Sequence, residues 1–105
     1  MKKVLIICAA GMSSSLIAKK LSKHFESINI DIIVQASPIS AATNQLIKNT
    51  YDLCIVSPQT ESHFDKLEKL ARKKNSLIIK MIAEDYRPVP EAIIKIADLI
   101  VKLLN

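Results

Sequence analysis

KVLIICAAGMSSS, running from Lys3 to Ser15, is an apolar stretch that ends in a cysteine and continues as a loop of small residues. Val4, Leu5, Ile6 and Ile7 are apolar without alternation, the pattern of a strand buried on both faces. Cys8 falls where that strand ends. Ala9, Ala10 and Gly11, the only glycine in the chain, precede Met12, Ser13, Ser14 and Ser15, and a helical pattern starts at Leu16. Small residues let consecutive backbone N–H groups turn inward, and a helix beginning near Ser13 to Ser15 adds unpaired amides and the positive end of its dipole. Such a nest suits a dianion. The same field favours a thiolate, so Cys8 is expected to ionise below the free value of about 8.5 and to be nucleophilic at neutral pH. A buried cysteine followed by a serine N-cap is the plainer reading. Position favours the reactive one, because ligands of α/β sheets bind at the C-terminal ends of the strands.

Working outward, four apolar runs begin near Val4, Ile30, Leu53 and Leu77, each followed by a helical pattern. This βα alternation predicts an α/β fold: an open four-stranded parallel sheet, order 2-1-3-4, with helices on both faces. The strand from Ile30 to Gln35 contains Asp31 and belongs at an edge, whereas the first and third strands belong in the centre. In the first helix Ile17, Ala18, Leu21, Phe25 and Ile28 share the buried face, with His24 at its margin and Leu16 off it. Ser37 and Pro38 turn the chain, and Ser40 is expected to cap a helix reaching about Asn49, with Ala42, Leu46 and Ile47 inward. Cys54 lies inside the third strand, Asp52 to Val56, and reads as an inert buried thiol.

Ser57, Pro58, Gln59 and Thr60 follow that strand. Parallel strands all end on one side, so this loop shares the sheet edge with Cys8. Pro58, Gln59 and Thr60 are candidate contacts to a phosphate or a partner, and Thr60 also suits the cap of a helix from Glu61 to Lys74. That helix turns Phe64, Leu67, Leu70 and Ala71 inward and ends in basic residues that complement its dipole. Nothing local marks His63 as a base or ligand. After the fourth strand, Leu77 to Ile82, the loop from Ala83 to Pro90 carries Arg87, the one loop arginine and a possible phosphoryl contact. The last helix, Glu91 to Leu104, has a charged stripe of Glu91, Lys95, Asp98 and Lys102 whose spacing permits two ion pairs, and its other residues suit burial.

Composition narrows the function. A chain of 105 residues is expected to be one domain, 1–105, with a single core. Aromatic residues make up 4% and tryptophan is absent, which argues against a nucleic-acid surface built on stacking. The net charge of +5 is spread over several helices and reads most simply as a solvated basic surface, which would also suit an acidic protein partner or the inner membrane face. The two cysteines and two histidines have no zinc spacing, so no metal or other cofactor is expected, and the thiols read as reduced in a cytoplasmic protein. Two lysines before seven apolar residues imitate a signal peptide poorly, and no stretch approaches the roughly 20 apolar residues of a membrane span.

The pattern C-x-x-G-M-S-S-S after an N-terminal strand, with Pro58-Gln59 after the third, resembles the phosphorylation loop of enzyme IIB components of the bacterial sugar phosphotransferase system, lactose and cellobiose/chitobiose family. The likeness covers the whole chain, and Ser57, where the family is expected to favour glycine, departs from it. It implies a fold like that of low-molecular-weight tyrosine phosphatases and a phosphocysteine at Cys8, with the phosphate held by Ala9 to Ser15. It implies a phosphohistidine donor on a IIA protein and a sugar acceptor held by a membrane IIC permease, and a free-standing chain leans toward the cellobiose/chitobiose branch. A phosphatase-like hydrolase and a phosphorylation-sensing module are the alternatives. The hydrolase needs C-x5-R, and Ser14 stands at that arginine position; there is no aspartate-proline acid loop either. A receiver domain needs acids where Ala9, Ala10 and Ser57 stand, and a dinucleotide site needs several glycines.

Overall fold

The computed structural model describes residues 1–9 and 12–105, the side chains of Met12 and Ser13 excepted. In chain order the elements are β1 (Lys2–Cys8), α1 (Met12–Ser27), β2 (Ile32–Pro38), α2 (Ile39–Lys48), β3 (Leu53–Val56), a 3-10 turn (Pro58–His63), α3 (Phe64–Lys73), β4 (Leu77–Lys80) and α4 (Pro90–Leu104). The strands form one parallel sheet in the order β2-β1-β3-β4, as the βα alternation predicts.

Burial explains the order. Val4 to Ile7 of β1 and all four residues of β3 are at most 1% exposed, because each strand has a neighbour on both sides and helices above and below. Their side chains alternate between two cores. Val4, Ile6, Leu53 and Ile55 pack with Ile17, Leu21 and Phe25 of α1 and with Ile93, Ile96 and Ile100 of α4. Leu5, Ile7, Cys54 and Val56 face Ala42 and Leu46 of α2 and Leu67 of α3. Full burial of such a side chain contributes about 1.5–3 kcal/mol. β4, at the edge, leaves Leu77 47% exposed.

Several local expectations are corrected. Ile28 is 47% exposed instead of inward, because α1 ends at Ser27 and Asn29 takes a left-handed φ of 57°. The Ile30 N–H then donates to Phe25 O at 2.9 Å and the Asn29 N–H to Glu26 O at 3.2 Å, the Schellman pattern that swings Ile28 outward. Asn75, with φ 58°, closes α3 the same way, its neighbour Ser76 donating to Ala71 O at 2.9 Å. Asparagine tolerates the left-handed region, and in a chain with one glycine it takes that residue's usual place.

β2 begins two residues later than the sequence reading and continues through Pro38, because its ladder with β1 pairs Ile7 with Ser37 and Cys8 with Pro38. An edge strand accommodates a proline that has no N–H to give. α2 follows at once. Pro38 occupies its N-cap without a side-chain bond, and Ser40 lies inside the helix instead of capping it. Ile47 is 56% exposed, one residue and about 100° round the helix from buried Leu46.

The helix expected from Glu61 is a 3-10 turn first and α3 only from Phe64. In α4, Lys95 reaches Asp85 of the preceding loop at 2.8 Å in place of Glu91, and Ile94 is 48% exposed where burial was expected. Among the described residues no helix is long and apolar enough to cross a membrane.

Candidate functional site

β1 delivers Cys8 to the C-terminal edge of the sheet between the ends of β2 and β3. Cys8 is 2% exposed and its thiol is free of any disulfide. The next element, α1, begins four residues later, which sets Ser14 in its first turn. The Ser14 hydroxyl lies 2.8 Å from the Cys8 Sγ, and Ser14 is fully buried. The first turn of α1 carries no acidic residue, so none of its own carboxylates offsets the positive dipole end beside the thiol.

A second loop is strapped to the same strand end. The Ser57 N–H donates to Ile7 O at 2.9 Å, and the Thr60 hydroxyl lies 3.4 Å from that oxygen and 3.1 Å from Ser57 O. The Ser57 and Thr60 hydroxyls are 3.1 Å apart, both buried. Thr60 has φ −110° and ψ 17° within the 3-10 turn, so its hydroxyl is spent on this strap and does not cap α3. Pro58 is half-buried and Gln59 exposed.

Among the described residues five polar side chains are buried, and four of them, Ser14, Ser37, Ser57 and Thr60, sit at this end of the sheet. Ser37, whose hydroxyl donates to Pro38 O at 3.0 Å, escaped the sequence reading. Its signal was a hydroxyl at the residue that pairs with Ile7, and that pairing becomes visible only once the register is known.

Of the remaining candidates, Ala9 and Ser15 are exposed at the mouth of the loop, and Leu16 is 45% exposed. Ala10 and Gly11 lie outside the described residues, as do the side chains of Met12 and Ser13, so the proposed backbone nest is described only from α1 onward. Arg87 is exposed, and its Nε donates to Glu84 O of its own loop at 2.8 Å. His63 is exposed on the 3-10 turn. Among the described residues no three His, Cys, Asp or Glu side chains gather as a metal site.

Cys54 presents the contrast. It is wholly buried in β3, and desolvation pushes its thiol from the ordinary 9.0 up to about 12. Burial also raises Tyr51, with a smaller contribution from the charge Cys54 would carry.

A buried cysteine at the end of the first strand, with a first-turn serine of the next helix against its sulfur, defines a parallel α/β domain built around a cysteine loop. Comparison with known proteins narrows this class. The sequence profile described as "PTS system, Lactose/Cellobiose specific IIB subunit" matches residues 3–100. The lactose-specific EIICB component of the phosphotransferase system from Lactococcus lactis subsp. lactis is 30% identical over 83 residues, which are 79% of this chain and 14% of that relative's length. The fold is similar to the lactose-specific IIB domain of Streptococcus pneumoniae, with TM-score 0.79, 18% identity and coverage of 99% of this chain and 98% of that one. It is also similar to the cellobiose-specific IIB protein of Borrelia burgdorferi, with TM-score 0.72, 23% identity and coverage of 99% and 92%. The chain therefore belongs to the lactose/cellobiose-specific IIB subunits of the phosphotransferase system, phosphoryl carriers in sugar uptake.

Proposed function

We propose that Cys8 is the residue that carries the phosphoryl group, that its donor is a phosphohistidine on a IIA protein and that its acceptor is a sugar held by a membrane IIC protein. The observation that supports this most directly is the Ser14 hydroxyl 2.8 Å from the Cys8 sulfur at the start of α1. A hydroxyl able to donate and a helix dipole both favour a thiolate over a thiol, and a thiolate is the form that attacks phosphorus. In the first step the Sγ–P bond forms as the P–N bond of the donor breaks. The proton lost by the thiol balances the one gained by the leaving imidazole. In the second step the sugar hydroxyl attacks phosphorus, the S–P bond breaks, and the hydroxyl proton balances the returning thiol.

Backbone amides at the start of α1 and in Ala9 to Ser15 would hold the phosphoryl oxygens, with Pro58 and Gln59 of the second loop beside them. Thr60 acts through the strap that fixes this loop to β1. On this reading residues 1–105 work as one domain in the cytoplasm, where the IIA phosphohistidine and the sugar held by the IIC protein are both within reach. The relatives are named for lactose and for cellobiose, which are both β-linked disaccharides, so a β-glycoside of this kind, cellobiose or chitobiose first, is the proposed acceptor.

The test is phosphorylation by a phosphohistidine-bearing IIA protein, read by intact mass and peptide mapping. Label is expected on Cys8, absent from Cys8→Ser and retained by Cys54→Ser. Label that persists on Cys8→Ser removes the assignment. Transfer from the labelled protein to a panel of disaccharides, in membranes carrying a IIC protein, then identifies the sugar.

A further inference from the structure

The function proposed above requires a partner to reach Cys8, and the surface beside it is uneven. Lys20, Lys23 and His24 of α1 meet Pro90, Ile93 and Ile94 of α4 across a groove of about 350 Å³. Ile94 is 48% exposed on its wall, and Leu16, one helical turn before Lys20, is 45% exposed. Apolar residues inside a basic rim are the composition of a protein-binding patch.

The charge has no internal explanation. Among the described residues the ion pairs are Met1–Asp31, Arg72–Glu68, Lys80–Glu61 and Lys95–Asp85, and none involves Lys19, Lys20 or Lys23. α1 carries one acid, Glu26, against these three lysines. Two of the four basic residues of α3, Arg72 and Lys73, lie in its last turn, where they complement the dipole, and Lys66 and Lys69 alternate with Asp65 and Glu68, whereas Lys19 and Lys20 sit at mid-helix with no acid before them in α1. A protein of net charge +5 keeps these charges uncompensated next to its reactive loop.

Distance links the patch to the thiol. At about 1.5 Å per residue, Lys20 stands about 9 Å and Lys23 about 14 Å along the α1 axis from Ser14, which touches the Cys8 sulfur. A standard interface covers about 800 Å² per partner, a disc of about 16 Å radius. A partner of that size centred on Cys8 therefore reaches as far along α1 as Lys20 and Lys23.

We propose that the α1/α4 groove, lined by Ile94, Lys20 and Lys23, together with Leu16 one turn nearer Cys8 on α1, is the docking face for the phosphoryl donor, an acidic protein surface bearing the phosphoryl group; this rests on the carrier reading above. The phosphorylated donor brings negative charge inward and the lysines steer it, which raises the encounter rate at low salt. After transfer the charge belongs to this chain and offsets part of its own basic field. The attraction falls at the moment the spent donor must leave. A second copy of this chain would bring the same lysines and be repelled. A flat lipid surface would not fill a groove.

The probe is a purified lactose/cellobiose-type IIA protein carrying labelled phosphohistidine, with second-order transfer rates measured from 20 to 500 mM salt. Lys20→Glu/Lys23→Glu is expected to slow transfer at least tenfold at low salt and to flatten its salt dependence, and Lys20→Gln/Lys23→Gln to give a smaller loss. Cys8 alkylation by iodoacetamide should stay within twofold in both, which separates docking from damage to the thiol. Lys69→Glu/Lys73→Glu on α3 is the control and should change transfer less than twofold. Equal losses in the α1 and α3 variants, or none in either, overturn the inference and leave the carrier reading in place, provided the parent chain is labelled on Cys8. A parent chain that accepts no label removes both. Binding of the parent to vesicles of anionic phospholipid that is lost in the α1 variant, with donor transfer unaffected, assigns the face to a membrane and overturns the inference.

Discussion

Replacing Ser14 by alanine removes a hydroxyl 2.8 Å from the Cys8 sulfur at a position where both residues are buried. If the hydroxyl donates to a thiolate, the bond is charge-assisted and contributes about 1.5–3 kcal/mol. At about 1.4 kcal/mol per factor of ten, the ionisation constant of the thiol falls about 10- to 150-fold, and the thiolate population falls with it at any pH where the thiol is mostly protonated. The rate falls less, because a more basic sulfur is a better nucleophile, with a Brønsted slope of about 0.4–0.5. The net expectation is a pH–rate curve displaced to higher pH, with alkylation about 3- to 20-fold slower on the part of the curve where the thiol is mostly protonated. Iodoacetamide is a suitable reagent, and Cys54→Ala a suitable background, since it leaves one thiol. The position of the pH–rate curve reports ionisation, and its high-pH plateau reports access to Cys8. A pH–rate curve that is unchanged or displaced to lower pH, with the same unfolding midpoint, refutes the reasoning. The hydroxyl would then be accepting from the thiol and keeping it protonated.

Burial of Cys54 predicts a loss of stability at high pH. The unfolded thiol releases its proton near the ordinary 9.0 and the folded one holds it to about 12, so between these values the unfolded state binds fewer protons and stability falls as pH rises. Tyr51, raised from 10.0, adds to the fall, and urea unfolding from pH 8 to 11 should show it reduced in Cys54→Ala. Thr60→Val keeps the shape and removes the hydroxyl that ties the second loop to Ile7 O; that oxygen still accepts from the Ser57 N–H, but the buried Ser57 hydroxyl loses its Thr60 partner, so the expected cost in urea unfolding is about 1–3 kcal/mol. Cys8-phosphorylated protein should release phosphate slowly in buffer and show no turnover on p-nitrophenyl phosphate; multiple turnovers that vanish with Cys8→Ser would make it a hydrolase, with Arg87 the first residue to examine.

The sheet order was legible because Val4 to Ile7 can only be a strand covered on both faces, and each later apolar run is followed by a helical period. Placing the Pro58–Thr60 loop beside Cys8 followed from parallel topology, and the Ser57 N–H on Ile7 O is that proximity in atoms. What escaped depends on geometry that pattern does not encode. The Schellman turn at Asn29 decides that Ile28 points outward, while helical period alone extends the buried arc to it. The register of β2 against β1 carries the strand to Pro38 and buries Ser37, where proline and serine otherwise read as a turn. Lys95 chose Asp85 over Glu91 because the loop before α4 folds back within reach, a tertiary fact. Cys8 and Ser14 were both assigned to the loop, but a contact between them requires the helix to begin close enough to turn the serine back onto the strand end.

The two thiols are buried almost equally, Cys8 at 2% and Cys54 at 0% exposure, so burial does not separate them. Their neighbours do. Cys54 stands among Leu5, Val56 and Leu67, with nothing but desolvation acting on it, and is held protonated. Cys8 stands where a strand ends and a helix starts, with a hydroxyl on its sulfur. The same surroundings argue for a store of phosphoryl groups over a hydrolase. On the carrier reading, helix-start amides would bind the phosphoryl oxygens in the intermediate and in the transition state alike, and such uniform binding protects an intermediate without speeding its breakdown. Hydrolysis needs a group that strengthens its hold only as charge develops, and loss of one such donor typically costs about 100- to 1000-fold. Ser14 occupies the position where C-x5-R would put that arginine, and Arg87 is bonded to its own loop. The residue that a hydrolase would use to destroy the intermediate is replaced by one that bears on forming it.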